Sequence, residues 1–217
     1  AQRMPNIQLG EQVQGAIEIA DKSYSKIASS MYNKVDELAQ QSGVMVDLRP
    51  ITKWAEESAR GFKTGRSAFG DEVLGNLTAD IKNLNYTSSF SDAYKLRQGL
   101  NAVINSKEAK ANPAYGIAIK AKKLLDEQMD NAAKRFGSDI YSRYREANSF
   151  YQQYAQTFHN DFIRSIAKKA DLHPSLVAGM IFRKDQPELV NMARKAINNE
   201  QTWRNLQAGY IENLLTK

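Results

Sequence analysis

Apolar side chains recur at steps of three and four residues over two stretches far longer than a β-strand, and this periodicity confines the chain to helices. The first stretch covers about 11–42 through Val13, Ile17, Ala20, Tyr24, Ile27, Met31, Val35 and Leu38. These positions fall on one helix face, and at 1.5 Å per residue the helix spans about 45–50 Å. Gly43, free to take a positive φ, is the expected stop. The second stretch covers about 139–170. Tyr144, Tyr151 and Phe158 lie seven apart in it, and Ile166 follows one residue beyond the next heptad step. A phenol at a seam position must reach water or a partner. Tyr144, Tyr151 and Phe158 are therefore expected to form a half-buried seam, the candidate protein–protein contact, packed within the bundle or against another copy.

Shorter helices fill the interval. Val44-Met45-Val46 reads as an extended link, with Asp47 capping a helix that carries Pro50, Trp54, Ala55 and Ala59 and ends by Gly61. Lys63-Thr64-Gly65-Arg66-Ser67 reads as a loop, and about 71–84 as a helix using Val73, Leu74, Leu77 and Ile81. Ser89 with Asp92 resembles a capping box before a helix carrying Tyr94, Leu96, Leu100, Val103 and Ile104. Asn112-Pro113 opens a helix reaching about Arg135, and Phe136-Gly137 ends it. Beyond 170 the pattern predicts three short helices: one from His173-Pro174, one capped by Asp185 with Pro187 in its first turn, and one carrying Trp203, Leu206, Tyr210, Leu214 and Leu215. No alternating β-branched runs occur, which argues against sheets. The expected architecture is all-α: an elongated helical bundle over 1–170 built on the two long helices, with 171–217 as a short-helix unit packed on it.

Hydrophobic residues at 42% and charged residues at 25% exclude wholesale disorder. No apolar run approaches the ~20 residues that a membrane span needs. The chain has no cysteine, so disulfides and zinc–thiolate sites are excluded. It begins Ala1-Gln2-Arg3-Met4-Pro5 with no secretory apolar segment, and reads as an excised or processed piece.

Motifs for chemistry are sparse. The two histidines, His159 and His173, stand in no metal-ligand spacing; His173 before Pro174 reads as a helix start. There is no GxSxG elbow, and the Gly61–Ser67 stretch lacks the order of a phosphate-binding loop. Glu57-Ser58 matches the catalytic Glu-Ser pair of soluble lytic transglycosylases, but that family's downstream Gly-Leu-Met-Gln element is missing. No catalytic, cofactor or metal residue is therefore assigned. The net charge of +6 permits a polyanion partner. Lys120, Lys123, Lys134, Arg135 and Arg143, on the two helices that meet at Phe136-Gly137, are the candidate nucleic-acid contacts through phosphate. Asp126, Glu127, Asp130 and Asp139 are interspersed, and intrahelical pairing such as Lys123 with Glu127 and Lys134 with Asp130 is the competing expectation.

Three passages resemble segments of the large helical virion proteins of tailed bacteriophages, the internal or DNA-ejection proteins. One is 31–39 leading into Val44-Met45-Val46-Asp47-Leu48-Arg49-Pro50. The second is 94–101 followed by 121–126. The third is Ile181-Phe182-Arg183-Lys184-Asp185-Gln186-Pro187-Glu188-Leu189 with Trp203 and Leu206 after it. The resemblance implies a virion protein, released with the genome to the host envelope or cytoplasm, and helping DNA cross that envelope. It implies other virion proteins and further copies of itself as partners, with non-specific DNA contacts. The alternatives are a helical adaptor acting through the tyrosine seam and a non-specific nucleic-acid-binding module.

Overall fold

The computed structural model describes residues 4–43, 45–64, 81, 83–105 and 113–215, and at 58–64 and 113–114 the backbone alone. The protein is mostly helical. In chain order it forms α1 (Asn6–Ser42), β1 (Val46–Asp47), α2 (Arg49–Thr64), β2 (Thr87–Ser88), α3 (Phe90–Ile104), α4 (Pro113–Arg135), α5 (Ser138–Phe158) and α6 (Asp161–Ala167). A 3₁₀ turn (Pro174–Leu176), α7 (Val177–Ile181), α8 (Glu188–Ile197) and α9 (Glu200–Leu215) complete it. The expected loop at 65–67 and most of the expected 71–84 helix lie outside the described residues.

The chain divides into two compact units, 29–148 and 1–28 with 149–217. This partition differs from the expected boundary at 170. Both long helices contribute to both units, and the short C-terminal helices share a unit with the start of α1.

In the 29–148 unit, α1 ends at Ser42 and Gly43 takes φ 70°, as its lack of a Cβ allows. The expected link pairs as a strand: Val46 lies opposite Ser88 and Asp47 opposite Thr87, antiparallel, with the Leu48 N–H donating to the Tyr86 carbonyl at 2.8 Å. Fully buried Val46 anchors this short bridge. Asp47 Oδ1 accepts the Arg49 N–H at 3.0 Å, and α2 then runs past Gly61 to Thr64. Ser89 Oγ accepts the Asp92 N–H at 3.1 Å, the expected cap. A second cap comes from α1: Asp36 Oδ1 accepts the Phe90 N–H at 2.9 Å. Helix α3 packs along α4, and β1 and α2 also contact α4. Phe90 meets Phe136 and Tyr144 with ring centroids 5.7 and 5.8 Å apart.

In the other unit, Leu9, Val13, Ile17 and Ala20 of α1 are buried, as are Ile163, Ile166, Ile181, Ile197, Trp203 and Leu206. Gln14 Nε2 donates to the Ile166 and Leu172 carbonyls at 3.1 and 3.0 Å. These bonds tie α1 to the end of α6 and the turn after it. Phe182 stacks on Tyr210 at 4.5 Å and tilts against Trp203 at 5.9 Å.

Several expectations need correction here. The 139–170 helix is two helices, broken at 159–160. Asn160 is in extended conformation, and its Oδ1 accepts the Ile163 N–H at 2.8 Å, so α6 begins with its own side-chain cap. Asp185 caps nothing: α8 starts behind Pro187, which supplies no side-chain cap. On α1, Ile27 is 43% exposed while Ala28 and Tyr32 are fully buried, because the buried stripe keeps the true helical period past Tyr24. At the end of α9, Leu214 and Leu215 are exposed, and Gly209 and Asn213 take the inner face.

Gly10 lies close against the Pro174 backbone. A Cβ there would stand 1.9 Å from the Pro174 carbonyl oxygen, whereas one at Gly209 would meet only the Leu9 side-chain end at 2.4 Å. Gly10→Ala should therefore destabilise by about 3 kcal/mol and Gly209→Ala by about 1 kcal/mol. Thermal unfolding followed by circular dichroism checks this; equal losses at the two sites would show that the Pro174 backbone can yield.

Candidate functional site

Two groups of side chains carry chemistry in the 29–148 unit. The first is a buried polar cluster that the sequence reading missed. Arg97, with its side chain 4% exposed, occupies a position on the inner stripe of α3 among Phe90, Ala93, Tyr94 and Leu100. Its Nη1 donates to Asn148 Oδ1 at 2.6 Å and to Asp126 Oδ1 at 3.2 Å, and its Nη2 donates to Tyr32 Oη. Tyr32 Oη donates in turn to Asn148 Oδ1 at 2.7 Å. The guanidinium carbon lies 4.9 Å from the Tyr32 ring centre and 5.7 Å from that of Tyr94, and the two rings stack at 4.1 Å. Asp126 is shared between two cations, since its other oxygen accepts from Lys122 at 2.7 Å. The sequence did carry a signal: a cation at an apolar-stripe position implies a buried charge with partners brought from other helices.

Tyr144 of the expected seam stands beside this cluster, edge-on to Tyr32 at 6.4 Å. Tyr144, Tyr151 and Phe158 are all buried in the chain's own packing, joined on α5 by Ile140, Ala147 and Tyr154 at heptad steps. Tyr144, Tyr151 and Phe158 are thus buried rather than half-buried, and the chain's own residues cover them, one of the two packings expected of the seam. Burial pushes the Tyr144 phenol up to about 12, against the opposing pull of the Arg97 charge and the Asn148 side chain.

The second group is cationic and exposed. Lys120, Lys123 and Lys134 line one solvent-facing stripe of α4 with Glu127 between them. Lys134 Nζ pairs with Asp130 at 2.5 Å, the pairing expected of it. No ion pair joins Lys123 to Glu127 among the described residues. Lys134 also lies 5.8 Å from the Tyr141 ring centre, and Arg145 lies 5.9 Å from the same ring. Asp130 beside it holds the Lys134 ammonium above its ordinary range, and the Arg145 charge works the other way. The fold thus brings Lys134 together with Arg145 rather than with Arg143. Arg143 is two residues from both Tyr141 and Arg145, about 200° round the helix. It lines a separate shallow groove with Leu38, Gln41, Asp139 and Glu146. Arg135 is exposed on the flank of α4, and its charge helps Arg49 hold the Asp47 carboxyl below its usual range.

The residues weighed for catalysis are dispersed. Glu57 is exposed on α2. His159 is half-buried at the α5–α6 break, its ring edge-on to Tyr154 at 4.7 Å; burial, with the Arg164 charge, lowers its pKa. His173 caps the 3₁₀ turn, as expected of a helix start, its Nδ1 accepting from the Ser175 N–H. Among the described residues no group of three or more His, Asp or Glu could hold a metal ion, and no helix is long and apolar enough to cross a membrane. No protein-family model, curated protein or solved structure matches the chain.

Asp126 and Lys122 separate the buried from the exposed half of this network. Asp126→Asn should cost about 3 kcal/mol, because it leaves the Arg97 charge buried without its counter-ion. Lys122→Gln should cost under about 1 kcal/mol. Urea unfolding of both variants checks the order, and equal midpoints would refute it. Tyr144 gives a pH signature. Its folded pKa is raised above the unfolded value, so its contribution is fully present below pH 10 and is lost as pH rises from about 10 to 12. Tyr144→Phe should remove about 2–3 kcal/mol of that alkaline loss. Identical stability profiles for the two proteins between pH 9 and 12 would contradict it.

Proposed function

We propose that the chain is a non-enzymatic helical part of a tailed-bacteriophage virion that takes part in delivering DNA across the host envelope, acting with other virion proteins and with copies of itself. The observation that carries this reading is the resemblance at 181–189, Trp203 and Leu206. Those residues belong to a tightly packed set of short helices, with Phe182 held between Tyr210 and Trp203. In this reading α1 and α5 are the paired long members of the bundle. Support comes from Tyr24 stacked on Phe150 at 5.5 Å in one unit and from the Tyr32–Asn148 hydrogen bond in the other. The non-enzymatic part is supported by the dispersal of the acid–base candidates: Glu57 and His159 belong to different units. A helical chain without cysteine also suits passage between compartments, because no disulfide has to be broken or remade.

The test is an immunoblot for this chain on purified phage particles before and after triggered DNA release. The expected outcome is a band before release and its loss afterwards. Retention after release would replace ejection with a fixed structural role, and absence from particles would overturn the reading.

A further inference from the structure

Seven cations stand on α4 and α5. Arg135 acts on Asp47, and Arg143 lines the groove beside Asp139 and Glu146. Among the described residues, the other five fall into two classes. Lys122 and Lys134 are held by Asp126 and Asp130 on the same helix. Lys120, Lys123 and Arg145 are exposed and have no carboxylate within ion-pairing distance. The free cations are aligned with Lys134. Lys120, Lys123 and Lys134 share the outward stripe of α4, and Arg145 joins its end across the Phe136-Gly137 turn, where Gly137 takes φ 103°. The stripe ends with Lys134 and Arg145 facing one Tyr141 ring. Lys120 and Lys134 are about 21 Å apart at 1.5 Å per residue. One carboxylate, Glu127, interrupts the stripe, and Asp130 borders it.

We infer that Lys120, Lys123, Lys134 and Arg145 form a surface that binds the phosphate backbone of duplex DNA without reading its sequence. The inference deepens the virion reading and rests on it for the choice of DNA. Charge complementarity favours a polyanion with regularly spaced phosphates, which a straight helix can follow over several contacts. A single strand is disfavoured because it needs aromatic rings with open faces for base stacking. Tyr141 is the aromatic residue here, and both cations crowd it. An anionic membrane surface is disfavoured because its amphipathic binders pair the basic stripe with an apolar face turned to the lipid. The apolar positions Ala118, Ala121, Leu125 and Met129 of α4 are buried in the fold.

The test is fluorescence anisotropy of a labelled 30-base-pair duplex with the whole chain between 50 and 200 mM salt. The expected result is binding of unrelated sequences alike, with log K falling against log salt at a slope of roughly −3 to −4. Lys120→Gln/Lys123→Gln should reduce that slope by about 2, and Arg145→Gln by about 1. Lys184→Gln/Lys195→Gln, at exposed positions of the other unit, should leave it unchanged. All the substituted residues are exposed, and circular dichroism should show the wild-type spectrum for each variant. Absence of duplex binding at 50 mM salt would overturn the inference, as would equal loss in the control variant. Tighter binding to single strands, or binding only to phosphatidylserine vesicles, would overturn it too. DNA binding by a chain absent from particles would keep this surface and sink the virion role; a particle-borne chain that ignores DNA would do the reverse.

Discussion

A buried arginine organises the 29–148 unit. Taking a guanidinium out of water is costly unless acceptors meet it, and those of the Arg97 Nη atoms come from three other helices: Tyr32 from α1, Asp126 from α4 and Asn148 from α5. Apolar packing alone tolerates small slips between helices, because one methyl group substitutes for another. This cluster does not, since a shift of one residue on any of the four helices would take a hydrogen-bond partner from the buried guanidinium. Tyr32 stacked on Tyr94 covers the guanidinium face, and Asp36, one turn along α1 from Tyr32, closes the N-terminus of α3 by accepting the Phe90 N–H. The position of α3 against α1 is thus fixed at two points by polar groups.

Helix content and most helix ends were legible because they depend on local chemistry. Gly43, Ser89 with Asp92, and His173-Pro174 each mark a boundary through a bond within four residues. The misreadings arose where a local pattern competed with a distant one. The apolar period runs through 159–160, so it concealed a break made by one side chain, the Asn160 amide, bonding forward to Ile163. Val46 and Ser88 pair across forty residues, a partnership no window can detect. Asp185 resembles a cap but lies too far ahead of Glu188 to act as one.

The candidate sites show the same division. Tyrosines at heptad spacing were read as a half-buried seam because phenols want water, yet Tyr144, Tyr151 and Phe158 are buried in the chain's own packing. The basic positions Lys120, Lys123, Lys134, Arg135 and Arg143 are exposed on their helices. What the sequence concealed was their grouping: a residue's angle round α5 decides that Arg145, and not Arg143, meets Lys134. The pairing of Lys122 and Lys134 with Asp126 and Asp130 uses up part of the basic character and leaves the rest on one stripe.

The division of the chain has a kinetic consequence. The 29–148 unit is contiguous, and its polar cluster can form as soon as Asn148 is available. The other unit is discontinuous: Gln14 waits for Ile166 and Leu172, and Asn6 bonds Asn213 at 2.5 Å across nearly the whole sequence. Contacts of such separation carry a loop-closure cost that the shorter-range contacts of the contiguous unit do not. The contiguous unit is therefore the quicker of the two to close, and the first turns of α1 stay without these partners until 166–213 have been made.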